Sequence, residues 1–281
     1  MERRSKTSTL LAIKNLTVAY GAVEALKGVA FEIQEGDVVA VLGANGAGKT
    51  TLLKAIGGVV PLSAGRVLFC GKPVHLLPAH QVVQRGMIYI PEGMRVFPQM
   101  SVMENLEIGA YLHRKSISER LGLVFGLFPE LYEKRNSASK DRSGGGQHML
   151  TRARGLMARA RLLLLDDPFM SQDRFRRTCT KQLIRQLAGM AKQVIVLSHD
   201  PRFLRSVWDG YPDDEIKVLQ LLRTGNSTVI GKWDIEAETQ ATYLKDYSVL
   251  LDYYRERKGN PLQVARSIRP FVEGMLRAHF P

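Results

Sequence analysis

The chain has 281 residues, of which 45% are hydrophobic, 24% charged and 7% aromatic. This ordinary globular composition excludes collagen-like, coiled-coil and wholly disordered chains. The net charge of +13 would suit phosphate, nucleic acid or anionic lipid as a partner, although scattered basic residues more commonly form a solvated surface.

The cysteine content and the apolar runs indicate where the protein resides. Cys70 and Cys179 are far apart in the sequence, and no basic-then-apolar secretory segment opens the chain. We therefore expect a reducing, cytoplasmic location. Apolar runs such as residues 162–165 are much shorter than the roughly 18 to 20 residues that cross a bilayer. Any association with a membrane is therefore expected to depend on a partner.

The first ninety residues have a β-rich pattern with one helix. Residues 1–9 show no periodicity and are expected to be disordered. Alternating and apolar stretches predict five strands, at residues 10–20, 23–33, 37–43, 65–71 and 86–91. Residues 49–56 are expected to form a helix directly after the third strand.

The rest of the chain changes from helices to strands and back to helices. Segments with a period near 3.6 predict a helical insert at about residues 95–160. The nearly all-apolar runs at 161–167 and 192–200 are typical of parallel strands that are buried on both faces. The remaining predicted elements are a helix at about 176–191, a hairpin formed by 215–224 and 226–233, and two C-terminal helices at about 235–257 and 261–278.

A glycine-rich segment provides the strongest local signal. Residues 43–50 read GANGAGKT, which satisfies G-x-x-x-x-G-K-[ST] and lies between a predicted strand and a predicted helix. The glycines let backbone N–H groups turn inward around a phosphate, and the helix start adds partial positive charge. Lys49 would reach the β and γ phosphates, and the Thr50 hydroxyl would ligate Mg²⁺. The residues predicted to bind ATP in this segment are Gly43, Asn45, Gly46, Ala47, Gly48, Lys49, Thr50 and Thr51.

Hydrolysis needs acidic residues close to the metal, and the apolar run that starts at residue 161 ends in two of them. Asp166 is placed to hold Mg²⁺ through water, and Asp167 to polarise the attacking water. His199 ends the next predicted strand and could hydrogen-bond the γ-phosphate or the attacked water. These residues, with Lys49, are the predicted catalytic and metal-binding groups.

The motifs taken together resemble those of the ATP-binding-cassette (ABC) ATPases. Ser143-Gly144-Gly145, followed by a helix, is similar to the signature motif of that family, and Tyr20 matches the aromatic residue that stacks on adenine. Asp173 occupies the position of a loop that contacts the second subunit. The resemblance implies an ATPase that works as a homo- or heterodimer. Ser143, Gly144 and Gly145 of one subunit would then cap the ATP bound to the other.

The resemblance also implies a fold and a division into domains. The expected fold is an α/β P-loop NTPase with an inserted helical subdomain and an N-terminal antiparallel β subdomain. The ATPase domain would extend over residues 10–230, and residues 231–281 would be a C-terminal helical extension.

Residues 10–165 resemble more closely the ATP-binding subunits of bacterial branched-chain amino acid importers. The likeness rests on stretches such as VEALKGVAFEI, IPEGMRVFPQMSVMENLEIGAYLHR and ARGLMARARLLLLD. In that subfamily glutamate replaces the glutamine that most transport ATPases carry in the loop facing the membrane subunit, and here it is Glu92. The resemblance implies integral membrane permease partners, a peripheral position on the inner face of the membrane, and a catalytic and metal-binding role for Glu92.

Residues 166–281 depart from that subfamily and resemble the last lobe of soluble cassette ATPases of DNA repair or phage defence. The change is carried by DDPFMSQD and VLSHDPRFL, so the chain reads as a hybrid. Asp167 replaces the usual glutamate, Arg142 the usual leucine, and Gly146 the usual glutamine or glutamate. Three functions stay open: an importer subunit, a soluble ATPase acting on nucleic acid, and a hybrid with impaired hydrolysis. Nucleic acid is the less favoured partner because the chain has no room for a long inserted coiled coil.

Overall fold

The computed structural model describes the larger part of the chain. The described residues are 8–93, 95–168, 184–185, 187, 191, 193–208, 216–224, 227–232, 250–251, 253–254, 264–265, 267–268 and 272. The chain divides into two compact units, Met1–Trp233 and Asp234–Pro281. The first unit holds every strand of the described residues.

The strands agree closely with the periodicity of the sequence. The described residues contain ten strands: β1 (Thr9–Tyr20), β2 (Val23–Gln34), β3 (Val38–Gly43), β4 (Ala64–Phe69), β5 (Lys72–Pro73), β6 (Met87–Ile90), β7 (Leu162–Asp166), β8 (Gln193–Ser198), β9 (Ile216–Thr224) and β10 (Ser227–Lys232). Strand β1 begins at Thr9, inside the stretch 1–9 that was expected to be disordered, because Thr9 pairs with Gln34 of β2. That expectation is therefore wrong for Thr9.

The helices are concentrated in the middle of the first unit. The described helices are α1 (Lys49–Ile56), α2 (Ala79–Gln84), α3 (Val102–Gly109), α4 (Ile117–Leu127), α5 (Pro129–Glu133), α6 (Gly144–Met157) and α7 (Pro201–Trp208), with 3₁₀ turns at Tyr111–Ser116 and Ser139–Asp141. Helices α3 to α6 form the insert predicted at about 95–160. Among the described residues, no helix is long and apolar enough to span a membrane.

The strands form two sheets, as the expected fold requires. An antiparallel sheet has the order β2-β1-β4-β5, and a six-stranded sheet has the order β10-β9-β3-β8-β7-β6. The pairs β9/β3, β3/β8, β8/β7 and β7/β6 are parallel, and β10 pairs antiparallel with β9. Every residue of β7 and of β8 is buried, which explains their apolar sequences.

The register of the parallel strands brings the polar strand ends to one edge of the larger sheet. Leu42 of β3 is opposite Ser198 of β8, and Asp166 of β7 is opposite Leu197. Gly43 and Asp166 are the last residues of their strands. The glycine-rich segment at residues 43–50, called the phosphate loop below, therefore meets Asp166 and Ser198 at the carboxyl edge. This is the edge where open α/β sheets commonly bind ligands.

A buried amide fixes the loop that precedes the helical insert. Asn105 has no exposed surface; its Nδ2 donates to the carbonyl oxygens of Phe97 and Ser101 and to Ser139 Oγ, and its Oδ1 accepts from Phe97 N–H. Ser101 caps α3 reciprocally with Glu104. The loop that follows Glu92 is thus attached to the insert by hydrogen bonds.

Several predictions fall on residues outside those described. These are Asp173, most of the helix predicted at 176–191, the connection between the two strands of the predicted hairpin (residues 225–226), and most of the C-terminal extension. Within that predicted helix, Ile184, Arg185 and Leu187 are helical.

Candidate active site

The phosphate loop has the geometry that its glycines predict. Gly48 caps α1 with φ of 93°, a left-handed conformation that favours glycine. A Cβ atom at this position would lie 2.7 Å from Leu26 Cδ2 and 2.9 Å from the carbonyl oxygen of Ala25. Glycine is therefore required both by the backbone angle and by the close approach of β2. The loop leads into the N-terminus of α1, which favours anions.

The Lys49 side chain lies inside this loop and is only 8% exposed. Its ammonium donates to the carbonyl oxygens of Gly43, at 2.7 Å, and Ala44, at 3.0 Å. Burial lowers the pKa of Lys49, and the negative charges of Asp167, Asp166 and Glu92 partly offset that shift. The Lys49 ammonium is therefore hydrogen-bonded to its own loop and feels the negative charge of the acidic residues at the edge of the sheet.

Asp166 is held by two hydroxyl groups. Thr50 Oγ1 donates to its Oδ1 at 3.2 Å, and the Tyr89 hydroxyl donates to its Oδ2 at 2.9 Å. Burial raises the pKa of Asp166, and the two hydrogen bonds counteract that effect. Burial, with the neighbouring Asp166 charge, also raises the pKa of Tyr89. Thr50 and Asp166 thus present a hydroxyl and a carboxylate side by side, the hard oxygen ligands that Mg²⁺ prefers.

Asp167 is bound by the residues that end the neighbouring strand. Its Oδ2 lies 2.5 Å from His199 Nδ1, and its Oδ1 accepts a hydrogen bond from Ser198 Oγ at 3.2 Å. The Asp167 backbone has φ of 35°, in the left-handed region that residues other than glycine rarely adopt. The sequence predicted that His199 would contact phosphate or water; the structure shows that its Nδ1 pairs with Asp167.

These groups surround one cleft of about 410 Å³. Its lining residues are Val23, Glu24, Ala25, Asn45, Gly46, Gly48, Lys49, Thr50, Thr51, Glu92, Asp166, Asp167, His199 and Arg223. Tyr20 does not line the cleft, but it is 49% exposed and pairs with Val23, which does. All of the predicted phosphate, metal and catalytic residues except Gly43 and Ala47 therefore line this cleft, and Tyr20 on β1 is paired with one of its lining residues.

The signature segment, residues 142–146, does not contribute to this cleft within the same chain. Ser143 caps α6, and its Oγ accepts a hydrogen bond from Gly146 N–H at 3.2 Å. Ser143, Gly144 and Gly145 are absent from the lining of the cleft. The nucleotide-capping role expected of these three residues stays a prediction.

Sequence reasoning missed several groups of the site. Tyr89 was read only as part of a strand, although the parallel register places Ile90 opposite Leu165 and so brings Tyr89 near Asp166. Ser198 directly precedes His199, and this position was the available signal. Arg223 gave no signal, because its place in the cleft depends on the pairing of β9 with β3.

The fold and the cleft define a P-loop ATPase of the cassette type, and sequence comparison gives the family. The sequence profile of the ABC transporter family matches residues 26–170. This chain belongs to the ABC transporter family and is an ATPase. It is 36% identical over 160 residues to the high-affinity branched-chain amino acid transport ATP-binding protein BraG of Pseudomonas aeruginosa. The matched region covers 57% of this chain and 69% of BraG.

Other relatives have different transport roles. The lipopolysaccharide export ATP-binding protein LptB of Escherichia coli is 31% identical over 196 residues, covering 68% of this chain and 81% of LptB. The ribose import ATP-binding protein RbsA of Bacillus licheniformis is 27% identical over 273 residues, covering 92% of this chain and 52% of RbsA.

Solved structures agree on the fold. A nucleotide-free ATP-binding cassette from an ABC transporter has a TM-score of 0.66 at 20% identity, covering 82% of this chain and 94% of that one. The dimeric cassette MJ0796, bound to ADP and Pi, also gives 0.66 at 21% identity and covers 79% and 98% of the two chains. The likeness of residues 166–281 to soluble repair and defence ATPases stays a prediction.

Proposed function

We propose that this chain is the ATP-hydrolysing subunit of an importer for branched-chain amino acids. The observation that carries the ATPase site is the convergence of Lys49, Thr50, Asp166, Asp167 and His199 around one cleft. The choice of solute rests on the likeness to BraG and to the probable branched-chain amino acid transport ATP-binding protein LivF of Archaeoglobus fulgidus. LivF is 34% identical over 160 residues and, like BraG, covers 57% of this chain.

ATP binds with its phosphates in the loop formed by residues 43–51 and its adenine near Tyr20. The backbone N–H groups and Lys49 hold the phosphates, and the ammonium of Lys49 exchanges the Gly43 and Ala44 carbonyl oxygens for phosphate oxygens. The exposed ring of Tyr20 stacks on the base. The loop residues Gly43, Asn45, Gly46, Ala47, Gly48 and Thr51 share this phosphate-binding role.

Thr50 and Asp166 would hold Mg²⁺. Glu92 lies at the same cleft, close enough to Lys49 to raise its pKa. The adjacent hydroxyl and carboxylate oxygens fit this hard cation. When bound, the metal neutralises phosphate charge. Tyr89 orients Asp166 through its hydrogen bond.

Asp167 and His199 act together on the attacking water. Asp167 holds Nδ1 of His199, which leaves Nε2 for the water or the γ-phosphate. Ser198 holds the other carboxylate oxygen, so the orientation of Asp167 is fixed from two sides. The pair thereby positions the water and accepts the proton that the water loses as it attacks.

A second cassette subunit, identical or related, completes the site. Ser143, Gly144 and Gly145 lie outside the cleft of their own chain, so they are available to cap ATP bound to the partner. The cassette MJ0796, which has a similar fold, forms a dimer in its post-hydrolysis state. Closure and reopening of the two subunits would drive the attached membrane subunits.

Integral membrane permease subunits are the proposed partners, and the protein lies on the cytoplasmic face of the membrane. The loop that begins at Glu92 is suited to couple the nucleotide site to the membrane subunits. Glu92 lines the nucleotide cleft, and the residues that follow it are hydrogen-bonded to the helical insert. The anchors are Asn105, which bonds Phe97, and Thr151, which accepts from Arg95 N–H.

Two measurements test this proposal. The tagged protein is purified from detergent-solubilised cells and its partners are identified by mass spectrometry; multi-span membrane subunits are expected.

Uptake of labelled leucine is then compared in cells carrying the wild type or Lys49→Ala, with labelled ribose as the control solute. The variant should lose leucine uptake and retain ribose uptake. Recovery of only soluble proteins or nucleic acid would contradict the importer and favour the soluble ATPase.

A further inference from the structure

Helix α6 contacts both loops that border the hydrolysis site. Thr151 Oγ1 accepts a hydrogen bond from Arg95 N–H at 3.1 Å, and Arg154 donates to the carbonyl oxygen of Arg95. Arg152, between them in sequence, donates from its guanidinium to the carbonyl oxygen of Pro168. One helix turn therefore links the loop after Glu92 with the turn that follows Asp167.

The Asp167-Pro168 turn needs external support. Asp167 has φ of 35°, although its Cβ disfavours this left-handed conformation and the following proline disfavours helical backbone angles. Such conformations persist only when surrounding contacts impose them. Ser198 and His199 hold the Asp167 side chain, and Arg152 holds the next carbonyl group along the backbone.

Arg152 occupies an unusual environment for a cation. It is partly buried, and burial lowers the pKa of Arg152 to about 10, so that the side chain still carries its charge at neutral pH. No carboxylate of the described residues forms an ion pair with Arg152, whose guanidinium donates instead to the carbonyl oxygen of Pro168. A charged donor makes a stronger hydrogen bond to a carbonyl oxygen than a neutral donor does.

The side chains around Arg152 belong to the site itself. Arg152 lines a small cavity together with His148 and Pro168, and this cavity shares Glu92, Asp166 and Asp167 with the nucleotide cleft. A movement of the Pro168 carbonyl would therefore reach Asp167 directly, whereas the phosphate loop does not border this cavity.

We propose that Arg152 is a positioning residue for hydrolysis: by holding the Pro168 carbonyl group, it fixes the backbone of Asp167 in the orientation that presents the carboxylate to His199. The inference rests on the role proposed above for Asp167. It assigns to helix α6 a direct mechanical connection between the signature segment at its start and the hydrolytic carboxylate. Arg152 acts through Asp167 and does not contact the nucleotide.

The test compares steady-state ATP hydrolysis by the full chain with ATP affinity in Arg152→Met, Arg152→Lys and Arg159→Met. Methionine keeps much of the volume but removes the donor, so kcat should fall about tenfold to a hundredfold, because a misplacement of about 1 Å can have that effect. The KM and the Kd for ATP should stay within about twofold. Lysine, which keeps a charged donor, should recover part of the loss. Arg159 is exposed and lies beyond the end of α6, so Arg159→Met is the matched control for loss of one positive charge.

A double variant separates positioning from general weakening of the fold. In an Asp167→Ala background, Arg152→Met should cause little further loss of kcat, because the group it positions is already gone. Wild-type kcat in Arg152→Met, a parallel loss of ATP affinity, or full additivity with Asp167→Ala would each overturn the inference. If Arg152→Met does not fold, Arg152→Gln decides: its shorter, neutral side chain lacks the charged donor, so a kcat loss larger than its affinity loss is expected, and unchanged kcat contradicts the role. Failure of the wild type itself to hydrolyse ATP would instead contradict the proposed function.

Discussion

The carboxylate of Asp167 pairs with His199 across two adjacent parallel strands, with Oδ2 at 2.5 Å from Nδ1. Asp167 directly follows β7 and His199 directly follows β8, so the pairing depends on the register of the sheet. The hydrogen bond to Ser198 keeps Asp167 from turning away. These two residues should behave as one functional unit.

We expect Asp167→Asn and His199→Gln each to lower kcat about 10²–10⁴-fold, the usual contribution of general acid–base catalysis. Since both changes disable the same unit, the double variant should lose little more than either single variant. The measurement is phosphate release at saturating ATP, with nucleotide affinity determined separately. Losses that multiply in the double variant would show that the two residues act independently.

A longer carboxylate tests the same position. Asp167→Glu moves the carboxylate forward by about one bond, roughly 1.5 Å. Turnover should change while nucleotide affinity is nearly retained. A large loss of affinity would mean that Asp167 acts in nucleotide binding and not in hydrolysis.

Removing the Tyr89 hydroxyl should destabilise the protein at neutral pH. In Tyr89→Phe the buried Asp166 carboxylate loses one of its two side-chain donors, and a hydrogen bond to a charged group contributes about 1.5–3 kcal/mol. Because that hydrogen bond lowers the pKa of Asp166, the pKa should rise further in the variant. The free energy of unfolding in urea measures the effect.

The matched control is Tyr132→Phe, since Tyr132 is 52% exposed. We expect a change within about 0.5 kcal/mol for this surface substitution. Equal effects of the two tyrosine variants would contradict the structural role of the Tyr89 hydroxyl. The Tyr89→Phe deficit should also narrow as the pH falls through the pKa of Asp166, because a protonated carboxyl needs less support.

The two departures in the signature segment should be energetically coupled. The Arg142 side chain lies across Gly146, where a Cβ atom would be 2.9 Å from Arg142 Nε. Replacing glycine with alanine inside a helix normally stabilises by about 0.8–1.0 kcal/mol. Gly146→Ala should show that gain in an Arg142→Leu background, whereas in the wild type the clash with Arg142 should offset it.

Urea unfolding of the wild type, both single variants and the double variant measures this coupling, which we expect to exceed about 0.5 kcal/mol. If Gly146→Ala has the same effect in both backgrounds, then Arg142 does not require glycine at position 146.

Protonation of His148 should destabilise the fold. Burial and then the charge of Arg152 lower the pKa of His148 below its ordinary value of 6.5. The unfolded chain therefore binds a proton at a higher pH than the folded protein does, and stability is lost as the pH falls from about 6.5 to the lowered value. His148→Gln should reduce this loss, measured as the shift of the urea midpoint between neutral and acidic pH.

His80→Gln, on an exposed side chain, is the control for removal of one histidine. An identical pH dependence in His148→Gln and the wild type would contradict the role of His148.

The sequence predicted most of the elements that form the site. The phosphate loop is a contiguous motif, and the runs around Asp166 and His199 are buried strands whose apolar residues indicate their position in a sheet. For parallel strands, this was enough to place Lys49, Asp166, Asp167 and His199 at one edge. The strand bounds agree within a few residues because alternation and burial are local properties.

The contacts that the sequence did not predict depend on tertiary register. That Tyr89 bonds Asp166, and that His199 Nδ1 faces Asp167, follows from the order β6-β7-β8 and from the distances across it. The same is true of Arg152, whose contact with Pro168 joins α6 to the end of β7. Nothing in the helical period around Arg152 indicates that contact.

The most direct test of the site is ATP hydrolysis by the purified wild type and by Lys49→Ala, with exposed Lys72→Ala as the control. Lys49 is the one ammonium group lying inside the phosphate loop among the residues that the structure describes, so its loss should abolish phosphate release. The account predicts turnover in the wild type and the control and none above background in Lys49→Ala. An unchanged rate in Lys49→Ala would contradict the assignment of this cleft as the ATPase site.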